Sequence, residues 1–186
     1  MGVRPFDEEA AVLLVLAGSG QEERILLTQR AAHLTLHGGE VAFPGGKREA
    51  EDRDLCCTAI RETYEEVGLD SSLVEIVGQL PVSYTRAGFR VTPFVGRVPD
   101  DVELLANPEE LESLFWVPTV FLLEDKRLRT DIFDSPDGQQ WAPVYDYLGY
   151  TIWGFTARVL VEFLNTFWGA DIGPEHEAPD VIYTRR

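Results

Sequence analysis

The sequence predicts an α/β fold of the mixed α+β kind, with a mixed sheet covered by helices. Strand-like runs clearly outnumber helical ones, and helical periodicity occurs only mid-chain and near the end. The order of these segments also departs from regular βαβ winding. At 186 residues the chain suits one domain, read as residues 1–186 with a core over about 10–168. A chain of this length buries roughly two-thirds of its unfolded surface and needs no disulfide staples.

Ala10 to Ala17 is a continuous apolar run of strand length, as a buried strand requires. Arg24 to Thr28 reads as its partner across a polar turn, Gly18 to Glu23. A loop through His37, Gly38 and Gly39 leads to a short strand, Val41 to Phe43, which Pro44-Gly45-Gly46 should break. A helix is expected from about Asp54 to Val67, closed by Gly68, with Leu55, Ala59, Ile60, Thr63 and Val67 facing inward. Strands are expected at Leu73 to Leu80, Arg90 to Val98, Leu114 to Val117, near Asp131 to Phe133 and Val144 to Tyr147, and at Thr151 to Trp153. Phe155 to Phe167 reads as a final amphipathic helix ended by Gly169, and Ala170 to Arg186 as a loosely held tail.

The charge balance narrows the partners. Sixteen Lys and Arg stand against 32 Asp and Glu, a formal charge of −16. Nonspecific nucleic-acid binding needs basic patches, so DNA and RNA are not expected partners. An anionic small substrate remains compatible, because a divalent cation reverses the sign of an acidic site. Met1 to Glu9 has no signal-peptide character, and no apolar run approaches the ~20 residues that span a bilayer. The expected protein is therefore soluble, cytoplasmic and free of membrane contact. Cys56 and Cys57 are adjacent, which rules out a long-range bridge, and His33, His37 and His176 give no zinc-site spacing.

The chemically informative segment is Gly45 to Leu69, GGKREAEDRDLCCTAIRETYEEVGL. At ~100° per residue Glu62, Glu65 and Glu66 share one helix face, opposite much of the apolar stripe. Arg61 can pair with Glu65 one turn on, which leaves Glu62 and Glu66 facing each other, at a cost of ~0.2–0.5 kcal/mol for such a pair. A divalent cation would turn that repulsion into coordination, and Mg²⁺ commonly combines a few carboxylates with substrate phosphates. A solvated acidic face would show the same three glutamates. The preceding Pro44-Gly45-Gly46 adds a loop whose backbone could approach a diphosphate closely.

Together these residues resemble the Nudix box, which runs glycine, five residues, glutamate, seven residues, then Arg-Glu-aliphatic-any-Glu-Glu-any-Gly-aliphatic. Arg61, Glu62, Glu65, Glu66, Gly68 and Leu69 match its second half, with Thr63 in the aliphatic slot. In the first half, one inserted residue puts Gly46 and Asp52 in the glycine and glutamate roles. Leu26 to Arg30, then Gly39 and Phe43 to Arg48, resemble the extra signature of Nudix coenzyme A pyrophosphatases, with Ala31 in place of its serine and Thr35 in place of its arginine. Phe115 to Pro118 and Ile152 to Ala157 are also similar to that subgroup, so the likeness spans about Ala10 to Leu164.

The resemblance implies an α/β/α sandwich with a central mixed sheet between helices. It also implies a Mg²⁺- or Mn²⁺-dependent pyrophosphohydrolase that cuts coenzyme A into 3′,5′-ADP and 4′-phosphopantetheine. Glu62 and Glu66 are the implied metal ligands, with Glu65 a further ligand, and either Glu62 or Glu65 could serve as the base. Arg61 orients Glu65 or the preceding loop, and Glu109 and Glu110 are additional base candidates. Arg30, Gly45, Gly46, Lys47 and Arg48 are candidate substrate contacts, and Trp153 and Phe155 could line the pocket. Other nucleotide substrates (ADP-ribose, a dinucleotide), a Nudix-fold sensor that binds without cutting, and a homodimer are all compatible with these residues.

Overall fold

The computed structural model describes residues 8–34, 37–85, 87–135 and 138–184. The Thr35 substitution in the subgroup signature lies outside them. The fold is mixed α+β, with two sheets and few helices. It divides into two compact units, Met1–Thr119 and Val120–Arg186.

The first unit is built on β1 (Glu8–Ala17), whose apolar run is buried on both faces. β2 (Arg24–Arg30) pairs with it antiparallel at its C-terminal end, while β7 (Phe89–Arg97) runs parallel to it from Glu8↔Phe89 to Leu16↔Arg97. β3 (Val41–Ala42) and β8 (Leu111–Pro118) pair with β2, and β5 (Glu75–Gln79) and β6 (Ser83–Tyr84) with β7. One expectation fails usefully. Pro44-Gly45-Gly46 does not end the pairing, because Gly45–Lys47 forms a further strand, β4, antiparallel to β1 through Val12↔Gly45 and Ala10↔Lys47. The glycines are what allow it. A Cβ on Gly45 would stand 2.3 Å from the Ala11 carbonyl oxygen, and its φ of 153° costs glycine little.

The mid-chain helix, α1 (Leu55–Val67), has the expected limits. The Asp54 side chain caps it by accepting from the Cys57 N–H at 2.8 Å, as N-cap aspartates do. Gly68, left-handed at φ 67°, ends it. Ala59 and Val67 pack on Ala11, Leu13, Val15 and Ala17, alternate residues of β1 that share one sheet face. Ile60, placed in the inward stripe by its spacing, is only half-buried, and its place on the buried side is taken by Thr58 and Glu66.

The second unit holds a four-stranded sheet, ordered β11 (Tyr150–Ile152), β10 (Gly138–Tyr147), β9 (Arg129–Ser135), β12 (Asp180–Tyr183). A one-turn helix, α2 (Thr119–Leu123), precedes it, and α3 (Gly154–Trp168) packs on β10. Trp153 is the N-cap residue of α3, and both it and Phe155 are half-buried. The tail is better held than its composition suggests. The Asn165 amide bonds both backbone groups of Ile172 at 3.0 Å, Arg127 donates to the Gly173 carbonyl at 3.1 Å, and β12 runs parallel to β9. Among the described residues no helix is long and apolar enough to cross a membrane.

Candidate active site

The three glutamates of α1 have three different environments. Glu66 is buried, with only 3% of its surface exposed. It accepts the Gly45 backbone N–H at 3.1 Å, and the Arg30 guanidinium stands 3.6 Å away. Glu62 is half-buried and lies against Gly46, while Glu65, 48% exposed, reaches into solvent. The expected uniform face is thus corrected. Helical rotation carries Glu66 around to the core side, where β4 comes close enough to supply a backbone donor. The Glu62–Glu66 repulsion is also not left uncompensated, since Arg61 donates to Glu62 at 3.1 Å and Arg30 sits beside Glu66.

Burial is the main force on these acids. It pushes the Glu66 carboxyl up from 4.5 to about 8, against the opposing pull of the Gly45 N–H and Arg30, and with Glu110 and Glu62 adding repulsion. Burial likewise raises Glu62, which also feels Glu65 and Glu110. Glu110 therefore belongs to the cluster, with Asn107 donating to its carboxylate at 3.2 Å. Glu109 is exposed, and no link to the cluster is found for it among the described residues. Asn107 escaped notice in the sequence, yet it shapes this loop. Its N–H donates to the Glu66 carbonyl at 2.8 Å, and its carbonyl accepts from Glu110 and Leu111. An Asn-Pro pair ahead of two acids was the available signal.

Arg61 is a clamp. Its Nε and Nη2 donate to the two oxygens of Asp52, both at 2.9 Å, Nη2 also donates to the Lys47 carbonyl at 3.1 Å, and Nη1 reaches Glu62 and Glu65. Asp52 is buried and further accepts from Thr58 Oγ1 and the Glu49 N–H, both at 2.9 Å. The Arg61 fork holds the Asp52 carboxyl far below the usual carboxylate range. Asp52 thus ties the loop before α1 to the helix, as the one-residue insertion permits.

Lys47 and Arg48 turn away from the glutamates. Lys47 pairs with Glu8 at 2.9 Å and lies over the Phe89 ring, while Arg48 and Arg90 hold Glu9 between them at 3.1 and 2.7 Å. A shallow cavity of about 450 Å³ lined by Glu8, Glu9, Lys47, Arg48, Glu49 and Ala50 opens there. Side-chain alternation along β4 accounts for Lys47, because Gly46 faces Glu62 and Lys47 the opposite way, while Arg48, just beyond the strand, is drawn off by the Glu9 carboxylate.

The donor chemistry of Glu62, Glu66 and Glu110 fits a hard divalent cation, which takes oxygen ligands and offsets mutual repulsion. Among the described residues no three acidic, histidine or cysteine side chains are gathered tightly enough to hold an ion unaided.

Residues 7–133 match the NUDIX domain family model. The chain belongs to the Nudix family. It is 35% identical over 190 residues to Nudix hydrolase 22, chloroplastic, of Arabidopsis thaliana, covering 98% of this chain and 63% of that protein. It is 38% identical over 156 residues to the uncharacterized Nudix hydrolase NudL of Enterobacter sp. (strain 638), covering 83% of this chain and 80% of the relative. Among solved structures, the Nudix hydrolase RenU from M. smegmatis aligns with a TM-score of 0.53 at 23% identity, over 62% of this chain and 73% of that one. A MutT/nudix family protein from Enterococcus faecalis aligns at 0.55 and 13% identity, over 91% of this chain and 65% of that one. These structures share the fold. Gly45 and Gly46 make separate contributions, which two variants distinguish. Gly46→Ala would set a methyl 2.5 Å from the Glu62 carboxyl carbon, the movable end of a side chain, so the fold should survive while Glu62 is displaced. Gly45→Ala would press on backbone and is expected to cost about 1–3 kcal/mol. Thermal melts read this directly, and a Gly46→Ala protein that melts as low as Gly45→Ala would refute the distinction.

Proposed function

We propose that the chain acts as a single Nudix hydrolase module that cuts the diphosphate linkage of a nucleoside diphosphate derivative, with coenzyme A or its derivatives as substrate. The observation that carries this reading is the buried Glu66, held by one backbone N–H beside Glu62, Glu110 and an arginine. Burying a carboxylate among carboxylates costs several kcal/mol, an arrangement that a bound cation would repay. Glu62 and Glu66 would hold Mg²⁺ or Mn²⁺, with Glu65 at the rim and the remaining positions left to water and substrate oxygens. When bound, the ion neutralises charge on the diphosphate and acidifies an attacking water.

The chain's own groups supply the rest. Arg61 fixes Glu62 and Glu65 relative to the loop before α1. Glu110, oriented by Asn107, is the base candidate within the carboxylate cluster that no arginine holds among the described residues, and it would take the water proton as the new P–O bond forms. Arg30 has guanidinium donors to offer a phosphate. The bridging P–O bond then breaks, so that coenzyme A gives 3′,5′-ADP and 4′-phosphopantetheine. The coenzyme A preference rests on the Leu26 to Arg30 and Phe43 to Arg48 motifs.

Purified protein with Mg²⁺ is to be incubated separately with coenzyme A, ADP-ribose and NADH, and the products followed by phosphorus NMR. Coenzyme A should be consumed fastest. Faster cleavage of ADP-ribose or NADH would overturn the coenzyme A assignment, and cleavage of none of the three would overturn hydrolysis in favour of a nucleotide-binding sensor.

A further inference from the structure

The two arginines of the site are held very differently. Arg61 is engaged through Nε, Nη1 and Nη2 at once. Arg30, by contrast, makes one contact through its guanidinium among the described residues, the 3.6 Å approach to Glu66, which is an ion pair longer than a hydrogen bond. Its backbone is firm, since its N–H donates to the Glu40 carbonyl and its carbonyl accepts from Gly39, both at 2.9 Å. The register of β2 against β8 also shifts between Gln29 and Arg30, an irregularity of the kind that re-aims a side chain beside a site. Arg30 is thus a fixed backbone carrying a loosely held, 28% exposed cation beside a buried carboxylate.

Building on the proposed diphosphate site, we infer that Arg30 is an exchangeable counterion. Whenever Glu66 is ionised in the ion-free protein Arg30 pairs with its carboxylate, and uptake of a divalent cation releases the guanidinium to bind an anionic phosphate group. Two positive charges competing for one buried carboxylate repel each other, so a cation at Glu66 weakens the hold on Arg30. The released guanidinium has five N–H donors in a fork suited to phosphate oxygens. The same side chain therefore opposes the cation when no anion is present and favours the two together. By linkage, an anion that captures Arg30 raises cation affinity, and the cation raises anion affinity by the same factor.

Mn²⁺ binding, measured by calorimetry on the full chain with and without methylenediphosphonate, tests the exchange without any turnover. Compared with wild type, Arg30→Gln should bind Mn²⁺ about three- to tenfold more tightly when no anion is present. The enhancement by methylenediphosphonate should shrink by at least a similar factor. Arg30→Lys keeps the charge but lacks the fork, so its Mn²⁺ affinity should stay near wild type while its anion enhancement falls. Lys126→Gln, at an exposed lysine paired with Glu124, removes the same net charge elsewhere and should change neither quantity. Weaker Mn²⁺ binding in Arg30→Gln, or an undiminished anion enhancement, would overturn the exchange while the metal site stands. Absence of Mn²⁺ uptake by wild type, or undiminished uptake by Glu66→Gln, would instead overturn the metal site, and the exchange with it.

Discussion

Glu66→Gln is expected to keep the fold and lose roughly 10²-fold or more in turnover, equivalent to about 2.7 kcal/mol of barrier. The glutamine can still accept the Gly45 N–H, so β4 stays docked, but it can no longer ionise to hold a cation. Turnover near wild type at saturating Mg²⁺ would remove Glu66 from the reaction. The same variant carries a second expectation, for stability in the presence of a chelator. The folded Glu66 carboxyl lies near 8, above its ordinary 4.5. Its protonated form is therefore favoured by folding, and the associated stability is fully present below about 4.5 and lost as pH rises through about 8. Wild type should fall relative to Glu66→Gln between pH 5 and pH 8, by an amount on the order of 3 kcal/mol, since each tenfold difference in proton affinity between folded and unfolded chains is worth ~1.4 kcal/mol. Parallel melting curves across that range would contradict the burial argument.

The second large effect is expected at Arg61. Arg61→Ala removes both donors facing Asp52 and leaves a buried carboxylate with only Thr58 and the Glu49 N–H. Breaking a buried pair from one side costs ~3–5 kcal/mol, and the partial exposure of Arg61 places this case toward roughly 2–4 kcal/mol. Arg61→Lys should recover only part of that loss, because an ammonium cannot present the two-pronged fork that both Asp52 oxygens receive. A double-mutant cycle with Asp52→Asn in denaturant isolates the pair. A coupling near zero would mean that the clamp contributes nothing to stability. The Asp52 carboxyl is held low, so its contribution should be present above the ordinary 3.8 and fade as pH falls through its lowered folded value.

Much of the scaffold is legible in the sequence because its signals are local. The apolar run of β1, the periodicity of α1 and the Gly68 cap each reflect a few neighbouring residues. What escapes such reading depends on partners distant in sequence. β4 reads as a chain breaker, and becomes a strand only because β1 offers it an edge. Periodicity alone places Glu66 on an acidic face opposite the apolar stripe and gives no sign of its burial, which follows from where Gly45 and Arg30 arrive. Lys47 and Arg48 are motif neighbours of the glutamates, yet strand alternation and Glu8 turn Lys47 elsewhere, and Glu9 draws Arg48 away. α2 and β12 are too short to show a period, and β12 is fixed by pairing with β9.

The parallel contact between β1 and β7 joins positions such as Glu9 and Arg90, which are 81 residues apart. Every acid and arginine of the candidate site up to Glu66 lies inside the loop that this contact closes. Closing so long a loop sacrifices chain entropy before local packing can compensate, and topologies of that kind fold slowly. On a ribosome, the β1–β7 pairing therefore waits until the chain has been synthesised through Arg97, and the packing that rests on this pairing belongs to the late stages of folding.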